Sequence, residues 1–98
     1  METIHFTAKK HIYEGLLAGT QRELYLPINA LNEKRIGQKD ITAKVRCGNL
    51  CARYTISAID RGYGNPLWGA NKHTLYVRVN IAHRILENEE TLTQGQIW

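Results

Sequence analysis

The sequence contains few of the residues that bind metals or cross-link a small protein. Cysteine occurs only twice, as Cys47 and Cys51, with three residues between them. This pair lacks the second ligand pair of a zinc site, and no His-Glu-x-x-His spacing is present. We therefore predict no metal site and no cofactor, and we expect both cysteines to be small thiols in a reducing compartment.

Long apolar runs are missing as well. No segment approaches the roughly 18 consecutive apolar residues that a membrane-spanning helix needs. The opening residues, Met1 to His5, show neither the basic start nor the apolar run of a signal peptide. These absences predict a cytoplasmic protein with no membrane partner.

Familiar signatures of catalysis are also lacking. No serine stands in a Gly-x-Ser-x-Gly turn, and no glycine-rich phosphate loop opens a helix. The two candidate acid–base carboxylates, Glu23 and Asp60, are far apart in sequence, so only folding would bring them together. The sequence therefore leaves open whether the protein is an enzyme.

What is present indicates one small basic domain. The 98 residues are 43% hydrophobic and 22% charged, with a formal net charge of +4 and a pI of about 9.3. A chain of this length is expected to form a single domain, residues 1–98. Its mild positive charge is compatible with a polyanionic partner.

The first third of the chain predicts a strand followed by a helix. Residues Thr3 to Phe6 have the pattern of a short strand. Apolar residues then recur at helical spacing from Ala8 to Ala18, with Thr7 as the expected N-cap. Gly19 suits a left-handed helix stop. The helix should therefore pack one face on a sheet.

Period-two alternation predicts four further strands. Their expected ranges are 22–28, 41–46, 50–60 and 73–81. Inward-facing residues would include Ile28, Ala58 and Leu75, and the polar segment 29–39 would be a loop with one helical turn. Beyond His83 the chain becomes polar. Its last two residues, Ile97 and Trp98, are apolar and are candidates for docking on the domain. The fold class expected is α+β, a small, curled and mostly antiparallel β-barrel with one N-terminal helix packed on it.

Cationic side chains recur on the outward faces of these strands. They are Lys44, Arg46, Arg53 and Arg78. If the strands are neighbours, these residues make a basic face that can follow a phosphate backbone. The alternative is that they are solvated surface residues that discourage edge pairing.

The loop from Asp60 to His73 combines aromatic, basic and glycine residues. Trp68 and Tyr63 are candidates for stacking on a base, and Lys72 for holding a phosphate. Trp68 has an alternative role as an apolar plug at the end of a barrel. His73 is either a general base paired with Asp60 or Glu23, or an exposed histidine at the start of a strand.

The N-terminal third also carries a family resemblance. It has a short strand, Ile4-His5-Phe6, then a helix that ends in Leu16-Leu17-Ala18-Gly19, then a strand to Leu26. In this order, and in its helix end, the chain resembles the ASCH domain family, a branch of the PUA-like β-barrel superfold. The resemblance implies a PUA-like barrel over nearly the whole chain, with a cleft for RNA or a modified base between helix and barrel. The walls of that cleft would be formed by Gly19, Gln21, Arg22 and Glu23, and by Tyr63, Trp68 and Lys72.

The chain departs from the family motif Gly-x-Lys-x-x-Glu-x-Arg. When the motif glycine is placed on Gly19, the following motif positions hold Gln21, Leu24 and Leu26. Small family members with amidohydrolase activity on acetylated cytidine use the motif lysine. With this alignment the resemblance implies the fold and not that activity, whereas a one-residue shift would bring Arg22 and Glu23 into a remodelled cleft.

Three functions follow as hypotheses. The first is an RNA-binding or nucleotide-binding module, and the second is a hydrolase acting on RNA or a nucleoside-like amide. The third is a small domain of phage or mobile-element origin that binds another protein. The binding candidates are Gln21, Arg22, Arg46, Arg53, Tyr63, Trp68, Lys72 and Arg78. The catalytic candidates are His73, Glu23 and Asp60.

Overall fold

Five strands and two helices form the described part of the chain, residues 2–86, in a computed structural model. The strands are β1 (Glu2–Thr7), β2 (Glu23–Leu26), β3 (Ile41–Cys47), β4 (Leu50–Tyr63) and β5 (Leu75–Ile85). The helices are α1 (Lys10–Ala18) and α2 (Ala30–Glu33), and a 3-10 turn covers Pro66–Trp68. The expected docking of Ile97 and Trp98 lies outside the described residues.

The strands make one sheet in the order β1-β3-β4-β5-β2. β1 pairs with β3 in parallel, and the other three pairings are antiparallel. The sheet curls into a half-barrel, so the expected α+β class with a curled and mostly antiparallel sheet is confirmed. The sheet is open, with β1 and β2 at its edges.

The core lies on one face of the curled sheet, beneath α1. Tyr13 and Leu16 of α1 are 4% exposed and pack against the apolar residues of all five strands. The buried strand residues of this cluster are Ile4, Leu24, Ile41, Ala43, Val45, Ala52, Tyr54, Ile59, Val77 and Val79. Burial of this apolar surface is the main stabilising contribution in a domain of this size.

Helix α1 begins two residues later than its apolar pattern predicts. The backbone N–H of Ala8 donates to Arg46 at 2.8 Å, which extends the β1–β3 pairing beyond Thr7. The N-cap is therefore Lys9, which makes no side-chain capping bond. The prediction that Thr7 caps the helix is wrong, whereas Gly19 ends it in the left-handed conformation as expected, at φ 80°.

The alternation along β4 changes phase after Ile56. Ile56 lies opposite Ile81 and Ala58 opposite Asn80, so β4 advances two residues while β5 advances one. Such a β-bulge turns the following side chains to the other face. Ile59 is consequently buried and Ala58 exposed. The prediction of an inward-facing Ala58 is wrong.

Two further predicted core residues lie outside the core. β2 ends at Leu26, because Pro27 cannot donate to the sheet, and Ile28 is exposed. Leu75, at the start of β5, is exposed as well.

Neither helix within residues 2–86 has the length and apolar character needed to cross a membrane.

Candidate functional site

A cavity of about 360 Å³ opens between the start of α1, strand β2 and the Pro66–Trp68 turn. We call it the Trp68 cavity. Its apolar and aromatic walls come from Phe6, Ile12, Leu24, Tyr25 and Trp68, and Gln21 adds a polar group. Its volume falls in the range of small-molecule sites, which are mostly apolar with a few polar groups.

Trp68 is positioned by a compact turn. The Asn65 side chain accepts a hydrogen bond from the backbone N–H of Leu67 at 3.0 Å, and Gly69 ends the turn with φ 81°. The backbone N–H of Trp68 donates to the carbonyl of Asn65 at 2.9 Å. The indole is held half-buried, as a wall of the cavity rather than an enclosed plug.

Gln21 is the most deeply buried polar residue of this cavity, at 5% exposure. Its Nε2 donates to the backbone carbonyl of Glu23 at 3.0 Å, which fixes the plane of the amide. Within residues 2–86, Oε1 accepts no hydrogen bond. This oxygen is not one of the enclosed, unpartnered side-chain atoms of residues 2–86, so it is open to the cavity and suited to accept from a ligand donor.

A second hollow, of about 220 Å³, adjoins the Trp68 cavity. It is lined by His5, Phe6, Thr7, Lys44 and Arg46, and we call it the basic groove. Phe6 and Thr7 line both hollows, so the two hollows meet at the end of β1.

The sheet register explains the charge of the groove. His5 lies opposite Lys44, and Lys44 lies opposite Arg53, so three strands present basic groups in one row. Arg46 is two residues further along β3 on the same face. Lys44 and Arg46 form no ion pair within the described part of the chain. Three of the four predicted outward cations, Lys44, Arg46 and Arg53, therefore share one face of the sheet, and Lys44 and Arg46 line the groove.

The start of α1 adds further positive charge to the cavity. Lys9 and His11 line it, and the first turn of the helix contains no acidic residue. Cations at a helix N-terminus oppose the macrodipole, at about 0.3–1 kcal/mol each. The uncapped N–H groups and these side chains together favour an anion at this end of the cavity.

Arg78 belongs to a different cluster. Its Nε and Nη2 donate to the two carboxylate oxygens of Asp60 at 2.9 and 3.2 Å, and this hydrogen bonding raises the Arg78 pKa. Its side chain lies directly over Gly62, where a Cβ atom would collide with it. Arg78 is paired with Asp60 and lies about 20 Å along the sheet from the row of His5, Lys44 and Arg53. It is therefore not part of the basic groove.

Glu23 lies on the same outer face and is also engaged. The Tyr25 hydroxyl donates to its carboxylate at 2.6 Å, and the Tyr25 ring contacts the Tyr76 ring at 5.3 Å between centroids. Burial raises the pKa of Tyr25, and the hydrogen bond to Glu23 and its charge raise it further. Folding thus places Glu23 and Asp60 on one face, where Arg78 interacts with both.

The remaining sequence candidates lie away from the Trp68 cavity. Tyr63 is 62% exposed at the end of β4, and Lys72 and His73 are exposed in the turn before β5. His73 uses its backbone N–H to bond the Asn71 side chain, and within residues 2–86 it forms no hydrogen bond or ion pair with Glu23 or Asp60. Arg22 lines a separate pocket beyond α1.

Sequence reasoning missed several residues of the cavity. They are Phe6, Lys9, His11 and Tyr25. The run Lys9-Lys10-His11 was a usable signal, because three basic residues at a helix start are unfavourable without an anion. Phe6 and Tyr25 gave no such signal, since their role depends on two strands that the sequence does not place near each other.

Comparison with known proteins adds no identity. No protein-family model, curated protein or solved structure matches this chain. The resemblance to ASCH domains therefore rests on the sequence motifs alone. In the described residues no group of three or more His, Cys, Asp or Glu side chains is placed to hold a metal ion.

Proposed function

We propose that this protein is a PUA-like module that binds single-stranded RNA. One base enters the Trp68 cavity, and the adjoining phosphates follow the basic groove. The observation that carries the proposal is that an aromatic cavity and a cationic groove lie side by side and share Phe6 and Thr7 as wall residues. Single-strand binders combine a surface for stacking bases with a positive track for the backbone.

The cavity has the groups needed to hold a base. The half-buried indole of Trp68 offers a face for stacking, which contributes about 1–3 kcal/mol per base. The carbonyl oxygen of the Gln21 side chain is fixed in the wall and is suited to accept from an exocyclic amine or ring N–H.

The groove has the groups needed to hold the backbone. Lys44 and Arg46 form no ion pair with carboxylates in residues 2–86, so their charges are available to phosphates. His5 lines the same groove. Each phosphate that these cations neutralise releases counterions, which gives binding energy that falls with added salt.

The uncapped start of α1 supports a phosphate between the two hollows. Lys9 and the first N–H groups of the helix lie at the mouth of the Trp68 cavity, beside Thr7. A helix N-terminus favours an anion through its free N–H groups and dipole. A strand passing over Thr7 would meet this positive end as it enters the groove.

Fluorescence anisotropy with a labelled hexauridylate at low salt tests the proposal. We expect saturable binding, and Trp68→Ala should weaken it about tenfold or more because the stacking surface is lost. Leu67→Ala is the matched control, since Leu67 belongs to the same turn but is 84% exposed and does not line the cavity. No binding by the wild type, or equal losses in the two variants, would contradict the proposal.

A further inference from the structure

A second pocket lies at the other end of α1. It has a volume of about 330 Å³, and its lining includes Gln21, Arg22, Tyr54, His83 and Arg84. Gln21 also lines the Trp68 cavity, so its side chain stands between the two hollows. We call this second hollow the Arg84 pocket.

A β-bulge directs Arg84 toward this pocket. Arg84 lies opposite Tyr54, whereas Ile81 lies opposite Ile56, so β5 advances three residues while β4 advances two. The Thr55 hydroxyl bonds both the N–H and the carbonyl of His83, at 3.0 and 3.3 Å, and holds the bulge. Without the bulge, strand alternation would place Arg84 on the outer face.

Tyr54 supplies an unusual group in the wall of the pocket. The residue is 2% exposed, and its enclosed hydroxyl has no hydrogen-bond partner within the described residues. Burial raises the pKa of Tyr54, while the charge of nearby Arg84 acts in the opposite direction. Leaving a buried hydroxyl unpaired costs about 1–3 kcal/mol, so an acceptor that reaches this enclosed hydroxyl through a small shift of the side chain gains affinity.

The charges of the pocket favour an anion. Arg22 and Arg84 are both exposed, and neither has an ion-pair partner in residues 2–86. The C-terminal end of α1, where the helix dipole is negative, faces the pocket as well. The N–H groups of Gly19, Thr20 and Gln21 bond carbonyls of the last helical turn, which offsets part of this negative charge.

We propose that the Arg84 pocket binds a phosphate monoester, with Arg22 and Arg84 holding the phosphate oxygens and the Tyr54 hydroxyl donating to one of them. Two guanidinium groups match the geometry and the charge of a phosphate dianion. The volume of about 330 Å³ lies in the range of small-molecule sites, so the pocket has room for the phosphate and the group that it carries. The ligand is a free mononucleotide or the phosphorylated end of a strand. This site stands independently of RNA binding in the Trp68 cavity.

Isothermal titration of the full chain with inorganic phosphate and with uridine 5′-monophosphate tests the proposal. We expect both to bind, and Arg84→Gln or Arg22→Gln to weaken each about tenfold or more, because each removes a charge-assisted hydrogen bond. Arg61→Gln is the matched control, since Arg61 pairs with Glu33 on the surface outside the pocket. Absence of binding, or equal effects of the three substitutions, would overturn the proposal.

Tyr54→Phe separates a ligand contact from a purely structural role. The substitution removes an unpaired buried hydroxyl, so the melting temperature should stay the same or rise. Phosphate affinity should nevertheless fall severalfold, as the ligand loses a donor. A variant that keeps full affinity would contradict the assigned contact.

The source of the phosphate is read from two hexauridylates, one with a 5′-phosphate and one with a 5′-hydroxyl. A higher affinity for the phosphorylated strand, lost in Arg84→Gln, identifies a strand end, whereas equal affinities with binding of the mononucleotide identify a free ligand. Failure of the RNA-binding proposal is distinguishable from failure of the phosphate proposal. Trp68→Ala alters only the Trp68 cavity and should leave the binding of inorganic phosphate unchanged.

Discussion

Gln21 is a buried side chain whose polar group faces a hollow. Its Nε2 is committed to the carbonyl of Glu23, while Oε1 has no partner within residues 2–86. In the ASCH motif that the sequence resembles, the position aligned with Gln21 is a lysine, which would present a positive charge. Gln21 presents a neutral acceptor instead, which is suited to reading the edge of a base and not to stabilising a developing negative charge.

Replacing this amide should remove base preference without abolishing binding. We expect the wild type to discriminate among hexauridylate, hexacytidylate and hexaadenylate, because a fixed acceptor distinguishes their edges. In Gln21→Leu the three affinities should converge to within about twofold, since stacking tolerates every base. Anisotropy titrations of the three oligonucleotides measure the spread, and an unchanged spread in the variant would exclude Gln21 from readout.

Tyr25 makes the stability of the fold depend on pH in the alkaline range. Its pKa is raised in the folded protein by burial and by Glu23, whereas in the unfolded chain it is about 10. Above that pH the unfolded state releases a proton that the folded state retains, so the free energy of unfolding falls as pH rises. Below it, the contribution of Tyr25 is fully present.

The consequence is a measurable difference in how steeply the free energy of unfolding falls with pH. Urea unfolding of the wild type between pH 9 and pH 11 should show declining stability, and Tyr25→Phe should show a shallower decline because one proton no longer differs between the two states. The raised pKa of Tyr54 acts in the same direction and remains in the variant. Identical slopes for the two proteins would show that Tyr25 titrates normally in the fold.

Among the elements, α1 shows where sequence reasoning succeeds and where it stops. Its apolar spacing and Gly19 give the helix and its end, because both depend on local geometry. Its start was misplaced, because the bond from Ala8 to Arg46 belongs to a sheet pairing thirty-eight residues away. The phase change after Ile56 was likewise invisible, since a bulge depends on the partner strand.

The uncapped start of α1 predicts a conflict between stability and binding. Lys9→Ser should add an N-cap and stabilise the protein by about 1 kcal/mol. It should also weaken hexauridylate binding severalfold, because a cation at the cavity mouth is lost. Urea unfolding and anisotropy measure the two effects. Lys10→Ser is the control, removing the same charge inside the helix without providing a cap, and it should not stabilise the protein.

At the scale of the whole molecule, the curled sheet decides which predicted residues meet. The sequence singled out Gln21 and Trp68, and the half-barrel brings both to one cavity. It pairs Arg78 with Asp60 instead of adding it to the groove, and leaves Lys72 and His73 exposed in a turn. Residue type was readable from the chain, whereas convergence required the strand order β1-β3-β4-β5-β2, which no local pattern contains.

The effect of where the positive charges lie can be separated from the effect of the total net charge. A Lys44→Ala and Arg46→Ala double variant and a Lys34→Ala and Lys39→Ala double variant each lower the formal charge from +4 to +2. Lys34 and Lys39 are exposed in the segment before β3 and line neither hollow. Any difference between the two variants therefore reports the basic groove.

The salt dependence of hexauridylate affinity in these three proteins tests RNA binding by the adjoining cavity and groove most directly. For the wild type, the logarithm of the association constant should fall linearly with the logarithm of salt concentration. The slope should be shallower by about 1.4 in the Lys44 and Arg46 variant, because two phosphate contacts to a single strand are lost. It should be unchanged in the Lys34 and Lys39 variant. A wild-type affinity that does not depend on salt, or equal slopes in the two variants, would contradict the account.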